Sequence, residues 1–166
     1  PTGMTEISSN AFERCTKLAL TSLPNSVTSI GSYAFSYCYD LALTSLPDSL
    51  TSIGDHAFEH CEALTVLNLP SNLTSIGDLA FHCCFALTSL ELPQSLTQIG
   101  KGAFAQCNLL VCDTLPPNLT VIEDSAFYHT KVTFKTLPNG ITKVGDKAFS
   151  LCTELNSTSL PEGLEE

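Results

Sequence analysis

Apolar positions return along this chain at a fixed interval. Phe12, Phe35, Phe58, Phe81, Phe104, Phe127 and Phe149 are separated by 23 residues five times and then by 22. Ile7, Ile30, Ile53, Ile76, Ile99, Ile122 and Val144 form a second column, and Leu18, Leu41, Leu64, Leu87, Leu110, Val132 and Leu155 a third. A Leu-Pro pair, from Leu23-Pro24 to Leu160-Pro161, recurs in step with them. Self-similarity at such a period predicts a solenoid, in which no unit folds alone and stacked units share one core.

Each unit divides into three parts. The segment ahead of Leu-Pro, as in Leu64-Thr-Val-Leu67-Asn-Leu69 and Leu87-Thr-Ser-Leu90-Glu-Leu92, predicts a short strand of a parallel sheet lining one face. Proline stops it, having no N–H for a ladder. The Leu-Thr-Ser-Ile-Gly segment then crosses back in an extended form. The last part, Asp-x-x-Ala-Phe-x-x-Cys, predicts a short helical turn. Asp55, Asp78, Asp124 and Asp146, with Ser9 and Ser32, stand where such a turn takes its N-cap. Stacked carboxylates would also suit calcium, but Lys101 interrupts the column and favours capping. Gly31, Gly54, Gly77, Gly100 and Gly145 predict a positive φ or a close backbone approach. Unit six departs from the template: Glu123 replaces that glycine, Thr130 replaces the cysteine, and one residue is missing before Leu137. Drift of the repeat explains this most simply, with a kink or contact site as the alternative.

The expected fold is an α/β repeat solenoid, with a parallel β-sheet on one face and short helical turns on the other. Residues 1–166 read as one domain of about seven repeats. Both ends fall in mid-repeat, which suggests a fragment or an uncapped part of a longer array. Met4 and Ile7 at one end, and Leu160 and Leu164 at the other, belong to core columns with no further coil over them, so end-to-end stacking is one way to cover them.

The pattern L-x-x-L-x-L-P-x-x-L-x-x-I-G-x-x-A-F-x-x-C resembles the BspA-like branch of the leucine-rich repeat superfamily, seen most fully from Leu87 to Cys107. That resemblance covers nearly the whole chain. It implies a leucine-rich repeat fold and a cell-surface or secreted location. It also implies a role in adhesion or protein binding, of the kind found in bacteria and protists.

Charge narrows the partners. The formal net charge is −10 and charged residues make up 14% of the chain, which disfavours nucleic acid and anionic membrane surfaces. No apolar run is long enough to span a membrane. Eight cysteines would ordinarily suggest disulfides, yet Cys15, Cys38, Cys61, Cys84, Cys107 and Cys152 each lie three residues after the repeat phenylalanine. In register they predict a ladder of buried thiols pointing the same way. Cys83 and Cys112 lie off it. Cys83 shares a column with His60 and His129, and His82 is adjacent. His60, His82 and Cys83 could approach one another on neighbouring coils, but zinc needs four convergent ligands. With no fourth in view they read as surface residues, and no cofactor or metal is expected. Asn72, Asn118 and Asn156 open N-x-[ST] sequons. These arise from the repeat wording by chance or mark N-glycosylation.

No nucleophile elbow, phosphate loop or zinc-protease motif is present, so no enzymatic activity is expected. The function expected is that of an interaction or adhesion module whose partner is a protein or a glycan. Contacts on the strand face would come from positions such as Asn68, Thr88, Glu91 and Thr114, which lack the aromatics and arginines that dominate hot spots. Tyr33, Tyr37 and Tyr39 form a rival aromatic patch on the other side. The alternative is a structural subunit of a fibre or surface layer, stacking on copies of itself through its open ends.

Overall fold

The computed structural model describes residues 3–156 and residue 159. The chain winds through seven coils, numbered here by their phenylalanines. Each contributes a two-residue strand: β1 (Glu6–Ile7), β2 (Ser29–Ile30), β3 (Ser52–Ile53), β4 (Ser75–Ile76), β5 (Gln98–Ile99), β6 (Val121–Ile122) and β7 (Lys143–Val144). Strands β1 to β5 form one parallel sheet in chain order, and β6 pairs with β7 in a second. The register places isoleucine on isoleucine, Ile7 beside Ile30 and Ile30 beside Ile53.

The main sheet therefore lies on the Thr-Ser-Ile segment and not on the leucine segment before Leu-Pro. Among the described residues that leucine segment holds only isolated parallel bridges, such as Ser45 with Asn68 and Val66 with Ser89. Proline follows it directly, and its spacing is irregular. Leu64 and Leu67 are buried and Leu69 half-buried in coil three, whereas Leu41, Leu43 and Leu46 are buried in coil two. A shift of one residue sends a strand's side chains to the opposite face. Neighbouring coils thus disagree about which residues face in, and a long ladder cannot form. Cys112 belongs to this scheme, buried in the inner slot that Leu43 holds in coil two and Phe134 in coil six.

The expected helical turns are absent: among the described residues there is no helix. The reason lies in the backbone hydrogen bonds. In coil two the N–H groups of Tyr33, Phe35 and Tyr37 donate to Asp55, Ala57 and Glu59 carbonyls of coil three, each at 2.8 Å. Those of Ala34, Ser36 and Cys38 donate within their own coil, to Gly31, Tyr33 and Phe35. A helix would use every N–H internally. Here alternate donors serve the next coil, which forces a left-handed residue two before and two after each phenylalanine, such as Tyr33 (φ 58°) and Tyr37 (φ 59°).

Without a helix, the aspartates cap something else. Asp55 Oδ1 accepts the N–H of Asp78 at 2.9 Å, Asp78 Oδ1 that of Lys101 at 2.8 Å, and Asp124 Oδ1 that of Asp146 at 3.0 Å. Each carboxylate ties the following coil instead of its own. Lys101 Nζ also lies 3.3 Å from Asp124 Oδ2. The Asp146 N–H and then Lys101 hold the Asp124 carboxyl below its usual range.

The core is a set of ladders. Phe35, Phe58, Phe81, Phe104 and Phe127 are fully or almost fully buried, and their rings stack on one another at 5.2–5.6 Å between centroids. All eight thiols of the chain are free. The cysteine ladder is buried from Cys38 to Cys152, whereas Cys15 in coil one, with no coil packed over it, is exposed. Its members have a defined role: Cys38, Cys61, Cys84 and Cys107 donate S–H to the carbonyls of Phe12, Phe35, Phe58 and Phe81 one coil back, at 3.0–3.2 Å. In coil six Thr130 takes the position and bonds its own coil's Phe127 carbonyl at 2.8 Å.

Of the two readings of the glycine column, close approach holds. None of Gly31, Gly54, Gly77, Gly100 or Gly145 has a positive φ. A Cβ on Gly77 would come within 2.6 Å of the Asp55 backbone nitrogen, and one on Gly145 within 2.5 Å of that of Asp124. Coil six, with Glu123 there, is where the sheet breaks. At the other junctions the glycine N–H donates to the preceding isoleucine carbonyl, as Gly100 to Ile76 and Gly145 to Ile122, and a threonine N–H to the preceding threonine, as Thr97 to Thr74. Glu123 and Thr120 make no such bonds to Ile99 and Thr97. The turn side of the same junction stays joined, through Gly102 to Asp124 and Phe104 to Ala126. A side chain where the backbones need to touch wedges the stack open along one edge.

Candidate functional site

Stacking in register brings together residues 23 apart, and on the turn face of coils one to four this gathers side chains unlike the small polar residues elsewhere. Two residues after each phenylalanine the column reads Arg14, Tyr37, His60, Cys83. The Arg14 guanidinium sits 4.9 Å over the Tyr37 ring, and Tyr37 stacks on His60 at 4.7 Å. Two residues before the phenylalanine, Tyr33 stacks on His56 at 4.4 Å. Tyr39 meets Tyr37 edge-on at 6.2 Å, and Phe85 meets His60 at 6.0 Å. Tyr33, Tyr39 and Phe85 are each between 37% and 39% exposed, which for aromatic residues makes a broad accessible patch. The tyrosine group proposed from the sequence is thus one end of a larger cluster. Arg14, His56, Glu59 and Phe85 were missed, although the 23-residue offset that places them was visible.

A polar network runs beneath these rings. Glu59 lies on the first turn after Phe58, largely buried, and its two oxygens reach His56 Nδ1 at 3.0 Å and His82 Nδ1 at 3.2 Å. Buried Ser36 donates to the same carboxylate at 3.4 Å. His60 Nδ1 lies 3.3 Å from Glu62 Oε1. The other nitrogen of His82, Nε2, lies 3.4 Å from Cys83 Sγ. His60, His82 and Cys83 therefore do converge, with one possible ligand atom from each lying within 4.8 Å of the others. A cysteine beside a histidine invites comparison with a nucleophile and its base. Burial, with like-charged neighbours, pushes the Cys83 thiol up to about 11, so this thiol is not activated for attack.

The remaining sequence candidates are placed as follows. Asn68, Thr88, Glu91 and Thr114 are all exposed on the leucine-segment side. The Thr88 hydroxyl is engaged with the Thr65 carbonyl at 3.0 Å. Asn72 and Asn118 are exposed, and their amides donate to the Asp48 and Gln94 carbonyls one coil back. Asn156 is exposed as well. Met4 is half-buried, but Ile7 is only 4% exposed, its side chain already covered by the core, so it offers little surface for stacking. Leu160 and Leu164 lie outside the described residues. Among the described residues no helix is long and apolar enough to cross a membrane.

Comparison with known proteins gives the same architecture. A family model described as the BspA type leucine-rich repeat region matches in six copies, over residues 1–111 and 74–166. The crystal structure of a T. pallidum leucine-rich repeat protein is 34% identical, with a TM-score of 0.82 over 94% of this chain and 74% of that one. A leucine-rich repeat protein from Bacteroides ovatus is 26% identical, with a TM-score of 0.72, and matches over 99% of this chain and 60% of its own. A leucine-rich cell surface protein from Faecalibacterium prausnitzii is 25% identical, with a TM-score of 0.65 over 96% and 58%. The chain thus spans less than two thirds of the last two. No curated protein matches it.

Proposed function

Because the chain belongs to the BspA-type leucine-rich repeat family, whose members are generally protein-interaction modules, we propose that it is a non-enzymatic binding module of a surface-exposed or secreted protein. Its partner is a protein or a glycan. One observation carries this reading: an arginine and several aromatics, the residue types that dominate binding hot spots, are clustered and exposed on the turn face of coils one to four. The coils already hold one another through backbone bonds and the core ladders, so this concentration exceeds what stacking needs. The leucine-segment face offers no exposed aromatic or arginine among the described residues. The cell-surface description of the F. prausnitzii protein supports the location.

The test uses a library of displayed protein domains together with a glycan array. Binders retained by the wild-type chain should be lost on Tyr37→Ala/Tyr39→Ala and kept on Thr88→Ala/Glu91→Ala. Loss through the second pair instead, or no binder retained at all, would overturn the assignment to the turn face.

A further inference from the structure

We propose that His60, His82 and Cys83 form a binding site for one divalent transition-metal ion of the zinc class, with Glu62 and Glu59 orienting the two imidazoles. The inference stands on its own geometry and does not rest on the partner reading above.

Three observations converge. First, the ligand types match. Imidazole and thiolate suit zinc and its soft neighbours, whereas calcium and magnesium demand oxygen. Second, the spacing is close. Metal–sulfur and metal–nitrogen bonds of about 2.3 and 2.1 Å place two ligands of a tetrahedral ion roughly 3.6 Å apart. Cys83 Sγ and His82 Nε2 are 3.4 Å apart, and no two of the three ligand atoms exceed 4.8 Å. Among the described residues this is the only group of three such side chains so close together.

Third, both histidines carry the outer partner that metal-bound histidines use. A ligating imidazole commonly donates its other N–H to a carboxylate, which fixes the tautomer and raises the basicity of the ligating nitrogen. His60 Nδ1 faces Glu62 Oε1 at 3.3 Å and His82 Nδ1 faces Glu59 Oε1 at 3.2 Å. In the tautomer with the proton on Nδ1, each imidazole donates to its carboxylate and keeps the Nε2 lone pair for a metal. Glu59 is itself held by His56 and Ser36, and His60 stacks on Tyr37 and meets Phe85 edge-on.

The site leaves a fourth position for water, as sites with three protein ligands do. Binding replaces the Cys83 S–H proton, which passes to solvent, by a metal–sulfur bond, and no redox step is involved. The equivalent residues two coils further on, Tyr128 and His129, supply no such set, and His129 Nδ1 instead meets Gln106 at 3.1 Å.

The test is a calorimetric titration of the untagged, reduced, metal-stripped chain with zinc chloride. It is paired with cobalt substitution read in the thiolate-to-metal charge-transfer band. The expected result is saturation at one ion per chain and a cobalt spectrum of low coordination number. Cys83→Ser should abolish the charge-transfer band and weaken zinc by at least about 10-fold, and His82→Ala should do likewise. Glu59→Gln, a positioning change, should weaken zinc by about 10- to 100-fold while leaving the charge-transfer band in place at saturation. Cys15→Ser and His129→Ala should change neither readout. No saturable binding by the wild-type chain, or binding that survives Cys83→Ser unchanged while circular dichroism shows the variant folded, would overturn the site.

Discussion

At the scale of single residues, the ladders make each side chain answer to a copy of itself. Phe58 lies between Phe35 at 5.4 Å and Phe81 at 5.2 Å, with ring planes within 10° of parallel. Phe58→Ala opens a cavity that two rigid rings cannot close, and should lower unfolding free energy by about 3–5 kcal/mol, read from urea denaturation. The thiols make a second prediction. Burial pushes Cys38 and Cys112 up to about 11 from an ordinary 9.0. A raised folded-state value means the native chain holds these protons more tightly than the unfolded one. Stability from this source is intact below pH 9 and is lost as pH rises from there towards 11, by about 1.4 kcal/mol per pH unit for each thiol. Under reducing conditions, Cys112→Val should flatten the fall of stability between pH 9 and 11; an unchanged slope would show that the native thiol ionises as readily as the unfolded one. That Cys38, Cys61, Cys84 and Cys107 form a ladder was legible in their 23-residue spacing. The S–H donation to the preceding coil was not, because it depends on the turn that replaced the expected helix.

At the scale of elements, the sequence showed which residues face the core more clearly than which backbone groups pair. Periodicity reports burial, and the leucine segment is buried in a strand-like rhythm. Pairing also needs neighbouring coils to agree in register, which the shift between Leu43 and Leu67 prevents. Likewise, capping residues before Ala-Phe are those of a helix start, but aspartate satisfies any N–H in reach, and here the nearest one belongs to the next coil. The glycine column makes the element-scale prediction. Gly77→Ala would set a Cβ 2.6 Å from backbone atoms of coil three, closer than van der Waals contact allows, and should destabilise by about 1–3 kcal/mol. Glu123→Gly should do the reverse. It permits the two missing strand-side bonds, worth about 1 kcal/mol each, against a glycine entropy cost of about 0.5–1 kcal/mol. A gain near 1 kcal/mol in urea denaturation is expected, and a loss would mean that Glu123 is held by contacts outweighing the wedge.

At the scale of the molecule, a solenoid is a row of units, each stabilised by its neighbours, so its weakest junction decides how it opens. The junction between coils five and six lacks its strand-side bonds, which divides the sheet into β1–β5 and β6–β7. The irregularity of unit six was legible as a substitution and a deletion; that it splits the sheet required knowing that glycine there marks backbone contact. The turn-face cluster was legible in the same limited way. Tyr33, Tyr37, His60, His82 and Cys83 could be set in columns, but Glu59 reaching both His56 and His82 could not be read from columns alone, since it links residues on the same and adjacent coils at different template positions. Opening should follow the break. In native-state hydrogen exchange, amides of coils six and seven should exchange through an opening of lower free energy than those of coils one and two. Both pairs are outermost among the described coils, but coil two keeps its full set of bonds to coil three. Fraying alone would treat the two ends alike, whereas a weak junction lowers only one. Glu123→Gly should then raise protection across coils six and seven together while leaving coils one and two unchanged. Equal protection of the two pairs in the wild-type chain would mean that the turn-side bonds, Phe104 to Ala126 and Gln106 to Tyr128, together with the leucine-segment bonds, Lys131 to Leu110 and Thr133 to Cys112, carry the junction without the strand-side ones.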